Sequence, residues 1–277
     1  MTAGGDARPV GIFDSGIGGL SVWHALVEQL PLESTVYVAD QAHVPYGPRP
    51  PGEILSLALR VTAFLTDVHD CKLIVVACNS ASAAALQHLR RAYPGVPFVG
   101  MEPAIKPAAA MSLRRVAGVL ATPATLSGEL YRGTVARHAQ DMRIIAEGCP
   151  GLVDAIESCA DTDTLNAMLE SFVAPSRAAG ADVMVMACTH YPLIKSLIAP
   201  LCGAHMRLID PAPAVARQTA RLLAQHALEA PAECQPRHQF FTTATSVDRF
   251  ETPATHWLGR SIPARQLTLA AESMTTR

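Results

Sequence analysis

Charged, aromatic and lysine residues are scarce in this chain of 277 residues, and each shortage excludes some classes of function. Only 17% of the residues are charged, and 22 basic residues face 24 acidic ones, so the chain offers no cationic surface for a polyphosphate. Nucleic-acid binding is therefore not expected as its main function. The 5% of aromatic residues also disfavour base-stacking surfaces. Hydrophobic residues, at 49%, predict a substantial buried core instead.

Membrane-spanning and secretion signals are also missing. No apolar run approaches the roughly 18 residues of a transmembrane helix, and the N-terminal MTAGGDARP lacks the basic and apolar regions of a signal peptide. The odd number of cysteines indicates reduced thiols, not a disulfide framework. We therefore expect a cytoplasmic protein without a membrane contact. The seven cysteines are Cys71, Cys78, Cys149, Cys159, Cys188, Cys202 and Cys234.

Apolar runs of strand length alternate with amphipathic helical patterns, which predicts α/β architecture with parallel sheets covered on both faces. The helical spacing is clearest at Leu165, Met168, Leu169 and Phe172. Asp210 and Pro211 are typical of a helix start, as N-cap and first-turn residue. The predicted strands are 9–14, 35–39, 72–77, 97–100, 116–121, 142–146, 182–187, 207–209 and 239–247.

Two matched cysteine segments, KLIVVACNSAS around Cys78 and ADVMVMACTHYP around Cys188, suggest an internal repeat. Each has an apolar strand before the cysteine, small polar residues after it and then a helical pattern. Because strand ends line the ligand crevice of a parallel α/β sheet, two such thiols could face one small substrate as a pair of acid/base groups. A following helix N-terminus would lower each thiol's pKa. The alternative for either cysteine is an inert buried thiol.

The repeat predicts two doubly wound lobes with the site between them. We place residues 1–101 plus 212–277 in the first lobe, with Asp14 and Cys78. Residues 102–211 form the second, with Cys188 and His190.

Asp14 ends the first apolar run in GIFDSGIGGLSV, and the glycines after it allow close backbone approach. Their exposed amides near a helix start suit an anion such as a carboxylate. The segment lacks the GK[ST] of a phosphate-binding loop, and Ser21 stands where the third glycine of G-x-G-x-x-G would be. The alternative for Asp14 is a capping residue at a strand–helix turn.

Neither a metal nor a cofactor is expected from the sequence. Cys188 and His190 lack the further ligands, at recognisable spacing, that a zinc site requires. Pyridoxal phosphate needs a Schiff-base lysine, and none of the three lysines (Lys72, Lys106 and Lys195) follows a predicted strand end. Two interpretations of His190 remain. Its side chain could lie near the thiol or the substrate, or it could be a core or capping histidine.

The motifs together resemble the glutamate racemases of the aspartate/glutamate racemase superfamily. Single motifs such as DSGxGG or PYG are weak signals, but both cysteine motifs in the expected order make the resemblance specific. The matching segments are GIFDSGIGGLSV (11–22), YVADQAHVPYGPRP (37–50), ACNSASAAAL (77–86), VGMEPAIKPA (99–108), GVLATPATLSG (118–128), ACTHYPLI (187–194) and LIDPAPAVAR (208–217).

The resemblance implies a cofactor-independent racemase that interconverts L- and D-glutamate and supplies D-glutamate for peptidoglycan. It also implies two flavodoxin-like lobes related by a pseudo-twofold axis. Cys78 would act on the D-enantiomer with Asp14 beside it, and Cys188 on the L-enantiomer with His190 beside it. A loose motif that begins at Cys149-Pro150 adds Glu157 to the implied catalytic residues. The implied substrate contacts are Ser15, Pro45, Tyr46, Gly47, Asn79, Ser80, Thr122, Thr125 and Thr189.

Two departures from the family pattern are visible. Ser80 stands where threonine is usual and keeps the hydroxyl, while Ala187 replaces a glycine and adds a methyl group beside the second thiol. Related activities stay open as alternatives: an aspartate or hydantoin racemase, a maleate isomerase, an arylmalonate decarboxylase, or a non-catalytic amino-acid-binding protein. Family members pair in different ways, so the resemblance allows a homodimer without selecting one.

Overall fold

A computed structural model describes residues 5–269 and contains two separate, fully parallel sheets. The first sheet has six strands in the order β10-β9-β2-β1-β3-β4. Its strands are β1 (Val10–Asp14), β2 (Thr35–Ala39), β3 (Leu73–Val76), β4 (Phe98–Gly100), β9 (His238–Thr242) and β10 (Arg265–Gln266).

The second sheet has four strands in the order β6-β5-β7-β8. Its strands are β5 (Val116–Ala121), β6 (Arg143–Gly148), β7 (Val183–Ala187) and β8 (Arg207–Ile209). In both sheets the chain starts in a central strand, adds the next on one side and then crosses to the other. This doubly wound order confirms the predicted fold class and puts a topological switch point at β1/β3 and again at β5/β7.

Helices cover the sheets in the alternation that the sequence predicts. They are α1 (Leu20–Gln29), α2 (Pro51–Ala63), α3 (Asn79–Ala92), α4 (Ile105–Met111), α5 (Pro123–Ser127), α6 (Glu129–His138), α7 (Leu152–Glu157), α8 (Thr162–Ala178), α9 (Lys195–Cys202), α10 (Ala212–Gln225) and α11 (Asp248–Leu258). A π-helical turn (Phe64–Val68) extends α2, and a 3₁₀ turn (Tyr191–Ile194) precedes α9. No helix within residues 5–269 is both long and apolar enough to cross a membrane.

Alternate residues of the central strands belong to different cores, as expected for a sheet buried on both faces. In β3, Leu73 and Val75 pack into a large core while Ile74 and Val76 pack into a second one. The large core also contains Leu120 and Met184 of the second sheet. One apolar core therefore joins the inner faces of both sheets and holds them together beside the switch points.

Several predicted boundaries change in the structure. The strand predicted at 239–247 ends at Thr242, and the short strand β10 was not predicted. Helix α10 begins at Ala212, with Pro211 just before it, so Asp210 is not the N-cap; its Oδ1 accepts from the Ala212 amide at 2.9 Å. The division of the chain into lobes at 101/102 and 211/212 stays a prediction.

Candidate active site

A small cavity lies where the carboxyl ends of the central strands of the two sheets meet. Its volume is about 20 Å³, room for about one water molecule. A substrate the size of an amino acid can enter only if the surrounding side chains or lobes move apart. The cavity is lined by Asp14, Ser15, Pro45, Tyr46, Gly47, Cys78, Asn79, Ser80, Thr122, Thr125, Val153, Cys188, Thr189 and His190.

Cys78 and Asp14 meet because β1 and β3 are neighbours in register, with Phe13 opposite Val76. Cys78 immediately precedes α3 and is only 5% exposed. Burial raises the pKa of the Cys78 thiol well above its usual range, and the nearby Asp14 carboxylate raises it further. The expectation that a following helix lowers this pKa was wrong, because burial and the carboxylate outweigh the favourable amide of Ala81. This shift favours the neutral thiol of Cys78.

The Asp14 carboxylate is fully buried and bound from both lobes. Its Oδ1 accepts from the Ser15 amide at 2.6 Å. Its Oδ2 accepts from the Gly19 amide and, at 3.0 Å, from the Thr189 hydroxyl, which follows the second cysteine. Burial raises the pKa of Asp14, although attraction to His190 and these hydrogen bonds oppose the shift. A carboxylate with a raised pKa beside a thiol is suited to take up that thiol's proton.

Cys188 and His190 form the second pair of titratable groups, at the end of β7. The Cys188 Sγ lies 3.9 Å from the Nδ1 of His190, and the Nε2 of the same ring lies 2.7 Å from Oε1 of Glu157. Because Nε2 faces a carboxylate, it carries a proton, which leaves Nδ1 to exchange a proton with the thiol. Burial alone lowers the pKa of His190, but the hydrogen bonds to Cys188 and Glu157 outweigh it and raise the pKa well above its usual range.

Glu157 lies behind His190 and does not line the cavity. Besides the imidazole, its Oε1 accepts from the Ile17 amide at 2.7 Å, and its Oε2 accepts from the Gln41 amide nitrogen at 2.7 Å. Glu157 ends α7, whereas Ile17 and Gln41 follow strands of the first sheet. The group that supports His190 is thus held by donors from the other lobe.

The rest of the lining supplies neutral polar groups. Thr122 and Thr125 hydrogen-bond each other at 3.0 Å, and the Tyr46 hydroxyl donates to the buried Asp40 at 2.6 Å. Asn79 is 5% exposed, yet neither polar atom of its side chain has a hydrogen-bond partner among residues 5–269. Since buried polar atoms are nearly always hydrogen-bonded, an unpartnered amide beside a cavity indicates a place for a polar ligand.

The glycines after β1 allow the two lobes to approach closely. A Cβ at Gly16 would lie 1.9 Å from Oε1 of Glu157, and one at Gly18 would lie 2.3 Å from Nδ1 of His190. The backbone amides after β1, which the sequence predicted to bind an anion, do bind carboxylates. Both carboxylates are side chains of this protein. The Ile17 amide binds Glu157, and the Gly19 amide binds Asp14.

The cavity thus brings together all the residues that the sequence nominated for the site except Glu157, which contacts it through His190. Their individual roles stay predictions. Sequence reasoning missed Val153, which lines the cavity, and Gln41, which holds Glu157. Gln41 had a usable signal, because it lies two residues after the end of a buried strand, as Cys78 does. Within the described part of the chain, no three His, Cys, Asp or Glu side chains are grouped as a metal site.

Comparisons with known proteins agree on one family. Residues 14–219 match the model of the Asp/Glu/Hydantoin racemase family. A glutamate racemase from Roseiflexus sp. (strain RS-1) is 47% identical over 80% of this chain and 82% of its own.

Solved structures give the same result. A glutamate racemase isoform from Bacillus anthracis superimposes with a TM-score of 0.84 at 31% identity, covering 95% of this chain and 98% of that one. A glutamate racemase from Francisella tularensis, solved in complex with D-glutamate, gives a TM-score of 0.82 at 26% identity with the same coverage.

Proposed function

Since the chain belongs to the Asp/Glu/hydantoin racemase family and its curated relatives are glutamate racemases, we propose that it interconverts L- and D-glutamate. The reaction uses Cys78 and Cys188 as its two bases and no cofactor. The observation that carries this proposal is that one small cavity holds two cysteines from different lobes, each with its own titratable partner.

The two sides of the cavity are suited to opposite proton transfers. With L-glutamate, Nδ1 of His190, whose pKa is raised, accepts the proton of Cys188, and the sulfur of Cys188 removes the α-proton. Cys78, held as a thiol, donates its proton to the opposite face of the carbanion and gives D-glutamate. With D-glutamate, Asp14 accepts the proton of Cys78, whose thiolate then removes the α-proton while Cys188 donates. Inversion needs no rotation of the substrate.

The α-proton of an amino acid is far less acidic than a thiol, so positioning and charge stabilisation must lower the barrier. Neutral donors line the cavity, and the first residues of α3, Asn79 and Ser80, are among them, so the helix N-terminus lies at the site and favours a bound carboxylate. We assign substrate contacts to Ser15, Asn79, Ser80 and Thr189, to the Pro45-Tyr46-Gly47 loop, and to Thr122 and Thr125. In the cell, D-glutamate made in this way would supply peptidoglycan synthesis in the cytoplasm.

The test is proton NMR of L- and then D-glutamate with the purified protein in D₂O, with EDTA and no added cofactor. We expect loss of the α-proton signal and formation of the opposite enantiomer by chiral analysis. If neither enantiomer exchanges while aspartate or maleate turns over, a related activity of the superfamily replaces this proposal. Tight binding of glutamate without exchange would indicate a binding protein.

Single cysteine variants test the roles of the two thiols. Cys78→Ala and Cys188→Ala should each lose racemisation almost completely, because a site with one base cannot protonate the other face. Either serine variant should keep some one-sided exchange or elimination but little inversion. Cys234→Ala, a partly exposed cysteine outside the cavity, is the control and should keep the full rate. Near-normal racemisation by either alanine variant would exclude the two-thiol mechanism.

A further inference from the structure

Gln41 is a buried polar residue outside the cavity whose hydrogen bonds are all made. It follows β2 and is 3% exposed. Its Nε2 donates to Oε2 of Glu157 at 2.7 Å and to the backbone oxygen of Arg249 at 2.9 Å, while its Oε1 accepts from the Thr242 hydroxyl at 2.8 Å. Because both ends of this buried amide are hydrogen-bonded, the side chain is fixed in one position.

The hydrogen-bond partners also fix which way the amide points. Glu157 offers a carboxylate and Arg249 a carbonyl oxygen, so both can only accept, and Nε2 must face them. The Thr242 oxygen already accepts from the Ala244 amide at 3.1 Å, so its own proton is directed to Oε1 of Gln41. Thr242, the last residue of β9, thus orients Gln41, and Gln41 presents an N–H to Glu157.

Gln41 binds Oε2 of Glu157, which accepts from no other donor within residues 5–269. Oε1 is taken by His190 and by the Ile17 amide, and Oε2 by Gln41 alone among the hydrogen bonds of the described residues. Donors from the first lobe therefore fix the orientation of the Glu157 carboxylate group. In this orientation, Oε1 faces the imidazole of His190. Losing Gln41 would let the carboxylate turn about its last bond.

We propose that Gln41 is a positioning residue for the Cys188 half of the reaction, acting through Glu157 and His190. The inference rests on the proposed racemase function. Because Gln41 belongs to the first lobe and Glu157 to the second, this support is complete only when the lobes are together. Cys78 has its own partner in Asp14, so loss of Gln41 should weaken one proton transfer and spare the other.

The test compares wild type with Gln41→Leu. We expect kcat/KM to fall about 10- to 100-fold, the effect of losing one hydrogen bond to a charged group. The fall must be equal for both enantiomers, because their interconversion has an equilibrium constant of about 1 and kcat/KM values are tied to it. Rate alone is therefore not diagnostic, and the decisive readout is the primary deuterium isotope effect with each α-deuterated enantiomer.

The isotope effects separate positioning from general damage. Removal of deuterium from L-glutamate is the step that Cys188 carries, and removal from D-glutamate is the step that Cys78 carries. If Gln41 is lost, proton transfer between Cys188 and the substrate slows, and this transfer becomes more rate-limiting in both directions. In Gln41→Leu, the ratio of the L-glutamate isotope effect on kcat/KM to the D-glutamate one should rise above the wild-type ratio.

Two further variants complete the test. Thr242→Val removes the donor that orients Gln41 and should shift the same ratio in the same direction by a smaller amount. It carries the test if Gln41→Leu does not fold. Gln266→Leu is the matched control. Gln266 donates to the backbone oxygens of Ala244 and Thr245, just after Thr242 in the chain, but has no hydrogen bond to Glu157 among the described residues. It should leave the ratio unchanged.

Two results overturn the inference while leaving the racemase proposal standing. One is an unchanged isotope-effect ratio in a folded Gln41→Leu or Thr242→Val protein whose rate has fallen. The other is an unchanged rate in Gln41→Leu. If the wild-type protein exchanges neither enantiomer of glutamate, the proposed function itself has failed, and this inference fails with it.

Discussion

Replacing Gly16 by alanine should displace the carboxylate that supports His190 without touching any reacting atom. The new Cβ would lie 1.9 Å from Oε1 and 2.8 Å from Cδ of Glu157, whereas real Cβ contacts are essentially never under 3.0 Å. The backbone at Gly16 is not in the left-handed region, so alanine is conformationally acceptable there and the conflict is purely one of space. Glu157 must move by about 1 Å or more.

That displacement breaks two 2.7 Å hydrogen bonds to Oε1, one from His190 and one from the Ile17 amide. A hydrogen bond to a charged group contributes about 1.5–3 kcal/mol, and a misplacement of about 1 Å can cost roughly 100-fold in rate. We therefore expect Gly16→Ala to lower kcat/KM for glutamate about 100-fold. The effect should fall mainly on kcat, because Glu157 does not line the cavity.

Racemisation followed by circular dichroism in both directions measures this effect, with thermal unfolding as the check on folding. Gly133→Ala is the matched control, because Gly133 lies inside α6 and a Cβ there meets nothing within 4 Å. It should keep full activity and gain up to about 1 kcal/mol from helix propensity. A folded Gly16→Ala protein within twofold of the wild-type rate would refute the role assigned to Glu157.

The pH dependence of turnover and the buried ion pair at Lys72 give two more predictions. The pKa of Asp14 and that of His190 are both raised, so turnover should be bell-shaped: turnover falls at low pH as Asp14 becomes protonated, and at high pH as His190 loses its proton. A flat rate from about pH 6 to 10 would contradict this prediction. Lys72→Met leaves Glu33, 2.7 Å from the ammonium and 3% exposed, as an unpaired buried charge. It should cost about 3–5 kcal/mol in urea unfolding, be partly rescued by adding Glu33→Gln, and leave kcat unchanged; a loss under 1 kcal/mol would show that water reaches Glu33.

The fold and the cavity lining were accessible from the sequence for local reasons. A parallel strand buried on both faces reads as an apolar run, and the residue that follows it lies at the ligand edge of the sheet whatever the rest of the chain does. This is why Cys78 and Cys188, each after such a run, could be placed at one site before any contact was known. Strand ends shifted by a few residues, because neighbours in the sheet decide where pairing stops.

The supporting network was decided by tertiary structure alone. Thr189 reaches Asp14 across 175 residues of chain, and Gln41 reaches Glu157 across 116. The same packing gives Gly16 its role, where the sequence predicted only that the glycines after Asp14 allow close backbone approach. It also reversed the expected pKa shift of Cys78, since burial and Asp14 outweigh the helix start. Local pattern determines which residues stand at the edge of each sheet, and only the docking of the two sheets determines which hydrogen bonds join them.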